Sequence, residues 1–173
     1  NSSPPNGSSK LTISADGFVT REQWVAVQSD QHADVTLDLI RNSAPFSMDF
    51  YRQLARETGG PILEVGCGTG RVAAALAADG HEVVGVDLSA PMLRLAEERR
   101  AALPADVAAR LSFHAADMAT LDLGRDFALI VTPARVFQFM LTSAAQRQAL
   151  AALRTHLRPN GRLVLDLFDP RLD

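Results

Sequence analysis

Leu63-Glu64-Val65-Gly66-Cys67-Gly68-Thr69-Gly70-Arg71 is the stretch that decides the fold of this chain. Three glycines at alternate positions stand between a short apolar run, Ile62 to Val65, and an alanine-rich run, Val72 to Ala78. The first run reads as a buried strand and the second as a helix. Glycine lets the backbone turn with positive φ and lets a ligand approach the main chain closely. The helix that follows offers unpaired N–H groups and a positive dipole end, which suits the carboxylate of a bound amino acid. Alone, such a loop is weak evidence, because ordinary turns use the same residues.

Downstream, strand and helix signals alternate. Gly80 stops the first helix, and Glu82 to Val86 reads as a strand ending at Asp87. Ser89 and Pro91 suit a helix start, as cap and first-turn proline. Met92, Leu93, Leu95 and Ala96 would form its apolar stripe. Leu111 to Ala115 is a third strand. Phe127 to Val131 is a fourth, apolar throughout, as expected for a strand covered on both faces. Ala144 to Leu157 reads as a long helix ended by Pro159-Asn160-Gly161, and Arg162 to Phe168 as a fifth strand. Strands joined by helices of this length pair in parallel through right-handed crossovers. The expected fold is α/β: a doubly wound, Rossmann-like sheet of five mostly parallel strands, order 3-2-1-4-5, with helices on both faces. In such sheets ligands bind at the carboxyl ends of the strands, where strand order reverses.

Upstream of Pro61 the pattern is less regular. Residues 1–10 are Ser, Pro, Asn and Gly with one Lys, and read as a disordered tail or added remnant. Residues 11–60 read as a mainly helical cap segment. Leu11 to Thr20 carries Asp16-Gly17 and suits a short hairpin. Thr20 to Gln23 suits a helix start, with Trp24, Val25 and Val27 on its buried side. Val35, Leu37, Leu39 and Ile40 suggest a second helix, broken at Pro45. Ser47 would cap a third, with Phe50, Tyr51, Leu54 and Ala55 at helical spacing, ended by Gly59-Gly60-Pro61. Residues 61–173 form the ligand-binding domain. The first residue, Asn1, and an end at Asp173 just past a strong strand signal suggest a piece of a longer protein.

Composition narrows the class. The chain has 173 residues, enough for one domain with a sizeable core. Its hydrophobic fraction of 47% and charged fraction of 21% are those of a globular protein. A net charge of -3 gives no sign of a nucleic-acid surface. No apolar run approaches the roughly 20 residues that span a bilayer, and no charged-then-apolar leader is visible. Cys67, the single cysteine, allows neither an internal disulfide nor a multi-cysteine zinc site, so no metal is expected. A cytoplasmic location fits these features.

Four strand ends carry candidate ligand contacts. Asp87 can accept hydrogen bonds from both hydroxyls of a ribose; the alternative is a turn aspartate before Ser89. Leu88 and Met92 can flank an adenine ring, or serve as core. Asp117 can accept from an adenine amine while the Met118 N–H donates to a ring nitrogen; standing alone, Asp117 would read as a solvated loop acid. Pro133 stops the fourth strand after Thr132 and leaves local carbonyls for an ammonium group. Phe137 and Phe139 either wall the site or belong to the core.

These residues match a known family in four places. Ile62 to Arg71 resembles the first motif of class I S-adenosylmethionine-dependent methyltransferases of the small-molecule type. Val83-Val84-Gly85-Val86-Asp87-Leu88-Ser89-Ala90-Pro91-Met92-Leu93 resembles the second, and Phe113-His114-Ala115-Ala116-Asp117-Met118 the third. Leu157 to Leu165 resembles the helix-to-fifth-strand turn, with Asn160 where a glycine is common, an exchange that left-handed Asn tolerates. The resemblance spans about Pro61 to Asp169. It implies S-adenosyl-L-methionine as cofactor and S-adenosyl-L-homocysteine as product. It also implies that Gly66, Cys67, Gly68 and Gly70 line the methionine part and that Glu64 braces the loop. Asp87 would bind the ribose, Leu88 and Met92 the adenine face, Asp117 and Met118 its edge, and Thr132 would sit beside the amino group. Arg71 belongs to the loop with its role open.

One departure stands out. Relatives usually carry two more strands after the fifth. Here Leu163 to Phe168 would then be an uncapped apolar edge, which proteins avoid. Truncation, residues beyond Asp173, or edge pairing with another chain such as a homodimer partner through 163–168 would each resolve this. No catalytic residue is assigned: His32, His81, His114 and His156 all read as structural. The expected activity is methyl transfer to a small-molecule N or O acceptor. Two alternatives stay open. One is a cofactor-binding module without catalysis. The other is a nicotinamide-dependent oxidoreductase, whose Gly-x-Gly-x-x-Gly spacing would need glycine where Arg71 stands. Phe46, Phe50, Tyr51, Phe137 and Phe139 could line an acceptor pocket or pack in the core.

Overall fold

The computed structural model describes residues 47–167 in full and the backbone of residues 8–14, 21–26 and 36–41. Five strands form the centre of one sheet: β4 (Ile62–Val65), β5 (Val83–Asp87), β6 (Leu111–Ala115), β7 (Phe127–Thr132) and β8 (Leu157–Leu167). They run parallel in the order β6-β5-β4-β7-β8, which is the expected 3-2-1-4-5. Strand order reverses between β4 and β7, so the ligand crevice of a doubly wound sheet falls at their carboxyl ends.

Helices cover both faces. On one, α1 (Met48–Thr58) and α2 (Arg71–Ala78) bury Tyr51, Leu54, Val72 and Leu76 against Ile62, Leu129, Val131 and Val164. On the other, α5 (Ser143–Thr155) buries Ala149 and Leu153 against Leu63, Ile130, Leu163 and Leu165. This alternation along each strand sends successive side chains to opposite layers. Each fully buried Leu or Ile contributes about 1.5–3 kcal/mol. Local signals end the helices: Gly59 leaves α1 at φ 73, and the Thr142 hydroxyl caps α5 by accepting from Ala145 N at 3.1 Å. Ser47 and Ser89 hold the predicted N-cap positions of α1 and α3 (Ala90–Ala101) without a side-chain cap bond.

Several expectations need correction. In α3 only Ala96 of the stripe is buried; Met92 and Leu95 stand 43% exposed, because α3 flanks the sheet edge rather than covering a face. The Pro159-Asn160-Gly161 turn lies within β8 rather than before it. Phe127 pairs with Leu157 and Leu129 with Arg162, so the intervening residues bulge out. Asn160 takes φ 62 there, the left-handed conformation expected of it. A Cβ on Gly161 would lie 2.9 Å from the Arg158 carbonyl oxygen.

The largest change is upstream. Residues expected to be helical are strands β2 (Arg21–Ala26) and β3 (Thr36–Arg41), joined to the sheet with β1 (Ser8–Ser14) in the full order β2-β1-β3-β8-β7-β4-β5-β6. β3 runs parallel to β8, with Leu37 level with Leu163 and Leu39 with Leu165. The edge expected to be open at 163–167 is thus occupied by the chain's own β3. Val35, Leu37 and Leu39 already alternate with period two, and an apolar edge is a strong template for such a segment. β1 and β2 pair antiparallel, consistent with a hairpin, and residues 8–10 of the expected tail belong to β1. Thr20, Asp16-Gly17, Val27, His32, Pro45, Phe46, Phe168 and residues 1–7 lie outside the described residues.

Candidate functional site

The glycine loop hangs from the end of β5. The N–H groups of Gly66 and Cys67 both donate to the Val86 carbonyl, at 2.8 and 3.0 Å, and Gly70 N donates to Cys67 O at 2.9 Å. Gly66, Gly68 and Gly70 have φ of 74, 54 and 71, which side-chain-bearing residues adopt only with strain. Two of the three are also sterically required. A Cβ on Gly66 would sit 2.5 Å from Val136 methyls, and one on Gly70 would sit 2.5 Å from the Phe113 ring. Gly68 differs, since a Cβ there meets nothing within 4 Å. The loop therefore presents an open, side-chain-free surface at Gly68.

Two carboxylates fix this loop. Asp87, at the end of β5, accepts from Gly68 N through Oδ2 and from Ser89 N through Oδ1, both at 2.8 Å. Each carboxyl oxygen keeps acceptor capacity beyond its one backbone bond. Glu64 is buried in β4 and accepts from Ala73 N at 2.7 Å, satisfying an orphan donor in the first turn of α2. Burial pushes its carboxyl up to about 8; the Ala73 N–H and the charge of Arg71 act against this, and the charge of Asp87 adds to it. Cys67 is buried and its thiol is raised by desolvation, so it stays neutral.

A cavity of about 210 Å³ opens where the ends of β4 to β7 converge. It brings together Gly66, Asp87, Leu88, Asp117 and Met118 of the expected site. Leu88 is 69% exposed, an apolar side chain held at the mouth. Asp117 caps the short 3-10 turn Met118–Thr120 by accepting from Ala119 N through Oδ1 at 2.8 Å. Val65, Ala116, Val136, Phe139 and Met140 complete the wall and were not singled out as cofactor contacts, apart from Phe139 as an alternative. Phe137 and Phe139 part company: Phe137 is in the core and Phe139 stands 74% exposed on the cavity. Their 3-10 turn, Val136–Phe139, sends near neighbours to opposite sides.

Glu64 of β4, Cys67, Gly68 and Gly70 of the loop, Arg71 of α2 and Met92 of α3 are not part of the cavity wall. Thr132 does not present its hydroxyl there. It is fully buried and donates to Val164 O at 3.4 Å. Tyr51 is in the core, and Phe50 packs edge-on against it. His156 is structural, as expected: its Nε2 accepts from Leu123 N at 2.9 Å, so Nδ1 carries the proton and donates to Ala152 O at 2.8 Å. Among the described residues no cluster of His, Cys, Asp or Glu could hold a metal, and no helix is long and apolar enough to cross a membrane.

A strand–glycine loop–helix unit, a strand-end acid and an apolar cleft at the switch point define a nucleotide-type binding domain of the doubly wound α/β class. The model of the methyltransferase domain family matches residues 62–161, and the chain belongs to that family. It is similar to the ubiquinone/menaquinone biosynthesis C-methyltransferase UbiE of Syntrophotalea carbinolica, with 36% identity over 77% of this chain and 57% of the relative. Among solved structures it is similar to the glycopeptide N-methyltransferase MtfA complexed with S-adenosyl-L-methionine. The TM-score is 0.62 at 30% identity, over 72% of this chain and 56% of that one. It is also similar to the sugar N-methyltransferase KedS8 of Streptoalloteichus sp. There the TM-score is 0.61 at 31% identity, over 71% of this chain and 48% of that one. The chain spans about half the length of these relatives.

Proposed function

We propose that this chain is the S-adenosyl-L-methionine-binding part of a methyltransferase acting on a small-molecule N or O acceptor. The observation that carries the reading is the convergence of Gly66, Asp87, Leu88, Asp117 and Met118 on one cavity at the switch point of a methyltransferase-family sheet. The fit is chemical as well as positional. Asp87 meets a ribose, Leu88 and Phe139 meet a flat apolar ring, and Asp117 meets an exocyclic amine. The open face at Gly68 meets a chain that must approach the backbone. The relatives with solved structures include glycopeptide and sugar N-methyltransferases, which supports a small, polar acceptor.

Bound S-adenosyl-L-methionine supplies a methyl group on a positively charged sulfur. The residues of this chain hold and orient: the Glu64 and Asp87 hydrogen bonds keep the glycine loop in one shape, and the apolar wall excludes water. Holding the reacting atoms in line is the main catalytic demand of a displacement. The test is calorimetry with S-adenosylhomocysteine and, separately, NADH. Saturable S-adenosylhomocysteine binding is expected. Tight NADH binding without it would transfer the chain to the oxidoreductase reading.

A further inference from the structure

The tip of the glycine loop is held from two sides, and only one of them belongs to the cavity. Arg99, in the last turn of α3, donates from Nε to the Thr69 carbonyl at 2.8 Å. A cation in the last turn suits the helix dipole, which accounts for its charge and not for its reach. Arg94 and Arg100 on the same helix pair with Glu98 and Glu97. Arg99 is in no ion pair among the described residues and bonds the loop instead. Ala96 is fully buried and already meets the loop, since its Cβ would lie 3.2 Å from a Cβ on Gly70. Arg99 leaves the same side of α3, three residues on.

The bond continues through the loop. A peptide unit is planar, so fixing its oxygen and its N–H fixes its orientation. Thr69 O accepts from Arg99, while the N–H of the same peptide, that of Gly70, donates to Cys67 O at 2.9 Å. The peptide that carries Cys67 O gives its own N–H, that of Gly68, to Asp87 Oδ2 at 2.8 Å. Two peptide planes thus join a guanidinium on α3 to a carboxylate on β5. Charged groups at the ends strengthen such a chain, and successive bonds polarise one another. The circuit closes through α3 itself, because Asp87 Oδ1 holds Ser89 N at the start of that helix. Gly68 and Gly70 sit at φ 54 and 71 and carry no side chain to restrict them, so the two planes rely on these bonds for a single orientation.

We infer that Arg99 is a positioning residue: it sets the shape of the glycine loop from outside the cavity, through a hydrogen-bonded relay that ends on Asp87. Its consequence for ligand binding rests on the S-adenosyl-L-methionine reading above. A loop already held in one shape loses less freedom when it takes a ligand. Without the guanidinium the competent shape becomes one of several, and apparent affinity falls with the fraction of chains that hold it. Arg99 is not in the cavity wall and acts through Thr69 and Gly68.

The test uses a reporter inside the relay. Cys67, the single cysteine, is 6% exposed, so its reaction with a thiol reagent reads opening of the loop with no ligand present. Arg99→Met keeps the length of the stem and removes the donors. It should speed Cys67 labelling about tenfold, at a rate that stays flat up to about 1 M urea, the mark of local opening. Arg99→Lys keeps a cationic donor and should recover most of the difference. Unchanged labelling in Arg99→Met overturns the clasp, and so does a rise that climbs steeply with urea, which reports global unfolding. Arg99→Met combined with Asp87→Asn should speed labelling by less than the product of the two single effects, because either change breaks the same chain. A full product overturns the relay. Calorimetry with S-adenosylhomocysteine on the same chains reads the consequence: Arg99→Met should bind about tenfold more weakly. Faster labelling with unchanged affinity overturns the positioning role and leaves the cofactor reading intact. If the unaltered chain does not bind S-adenosylhomocysteine, the cofactor reading fails, while the labelling rates still decide the clasp.

Discussion

The backbone N–H of Gly68 donates to Asp87 Oδ2 at 2.8 Å, so the end of β5 grips the tip of the loop that leaves β4. The same carboxylate holds Ser89 N, the residue from which α3 starts. Asp87 is thus a structural clasp between the loop and α3, and in the cofactor reading proposed above it would hold the ribose as well. Of the two readings the sequence leaves open, the turn aspartate before Ser89 is the one the structure shows. Asp87→Asn keeps one acceptor oxygen and should weaken S-adenosylhomocysteine about tenfold; Asp87→Ala should weaken it about a hundredfold. Calorimetry reads both. Equal affinity for Asp87→Ala and the unaltered chain would remove Asp87 from the site.

The glycines separate fold from function. Gly66→Ala adds a Cβ 2.5 Å from Val136 to a residue at φ 74, so it should lower thermal stability by more than about 2 kcal/mol. Gly68→Ala meets open space and bears only the left-handed strain of about 1–2 kcal/mol. In the cofactor reading the ligand's chain approaches this open face, so cofactor affinity should fall more than stability does. Thermal melts paired with calorimetry test the contrast. A Gly68→Ala chain that binds normally would show that the ligand does not reach that face.

Glu64 makes stability depend on pH. Its carboxyl is pushed from 4.5 up to about 8 by burial, so the folded chain holds a proton that the unfolded chain releases. The resulting stability is fully present below about 4.5 and is lost as pH rises toward about 8. Glu64→Gln keeps a carbonyl for Ala73 N and removes the titration. Its melting temperature should change less between about pH 5 and about pH 8 than that of the unaltered chain. Parallel pH profiles for the two would show that Glu64 ionises normally.

His156 offers a control away from the cavity. It links Leu123 N to Ala152 O through opposite ring nitrogens, and both partners lose a bond in His156→Ala. The variant should lose about 2–3 kcal/mol of stability and keep its affinity for S-adenosylhomocysteine. A specific loss of binding at unchanged stability would give His156 a functional role instead.

Much of the site was legible because its signals are local. The glycine loop, the strand ends at Asp87 and Asp117, and the turn at Asn160 depend on neighbours within a few residues. Phe137 and Phe139 were not separable, because the turn that sends one inward and the other to the cavity has no hydrophobic period. Met92 and Leu95 were misread as a buried stripe because α3 has no layer above it. Residues 36–41 read as a helix while pairing as a strand, since the partner edge in β8 lies more than a hundred residues away in the chain.

From the sequence alone came the order of the central strands, the loop that turns at Gly66, Gly68 and Gly70, and the acids at two strand ends. The loop and the strand ends follow from short-range backbone preference and the period of apolar residues, and the strand order from the doubly wound fold that alternating strands and helices define. Only the tertiary structure decided that β3 occupies the edge of β8, that Thr132 turns its hydroxyl into the core, and that Asp166 holds one buried oxygen unpaired. Those outcomes depend on which surfaces meet across the sheet, and burial, not local sequence, sets what a side chain there must satisfy.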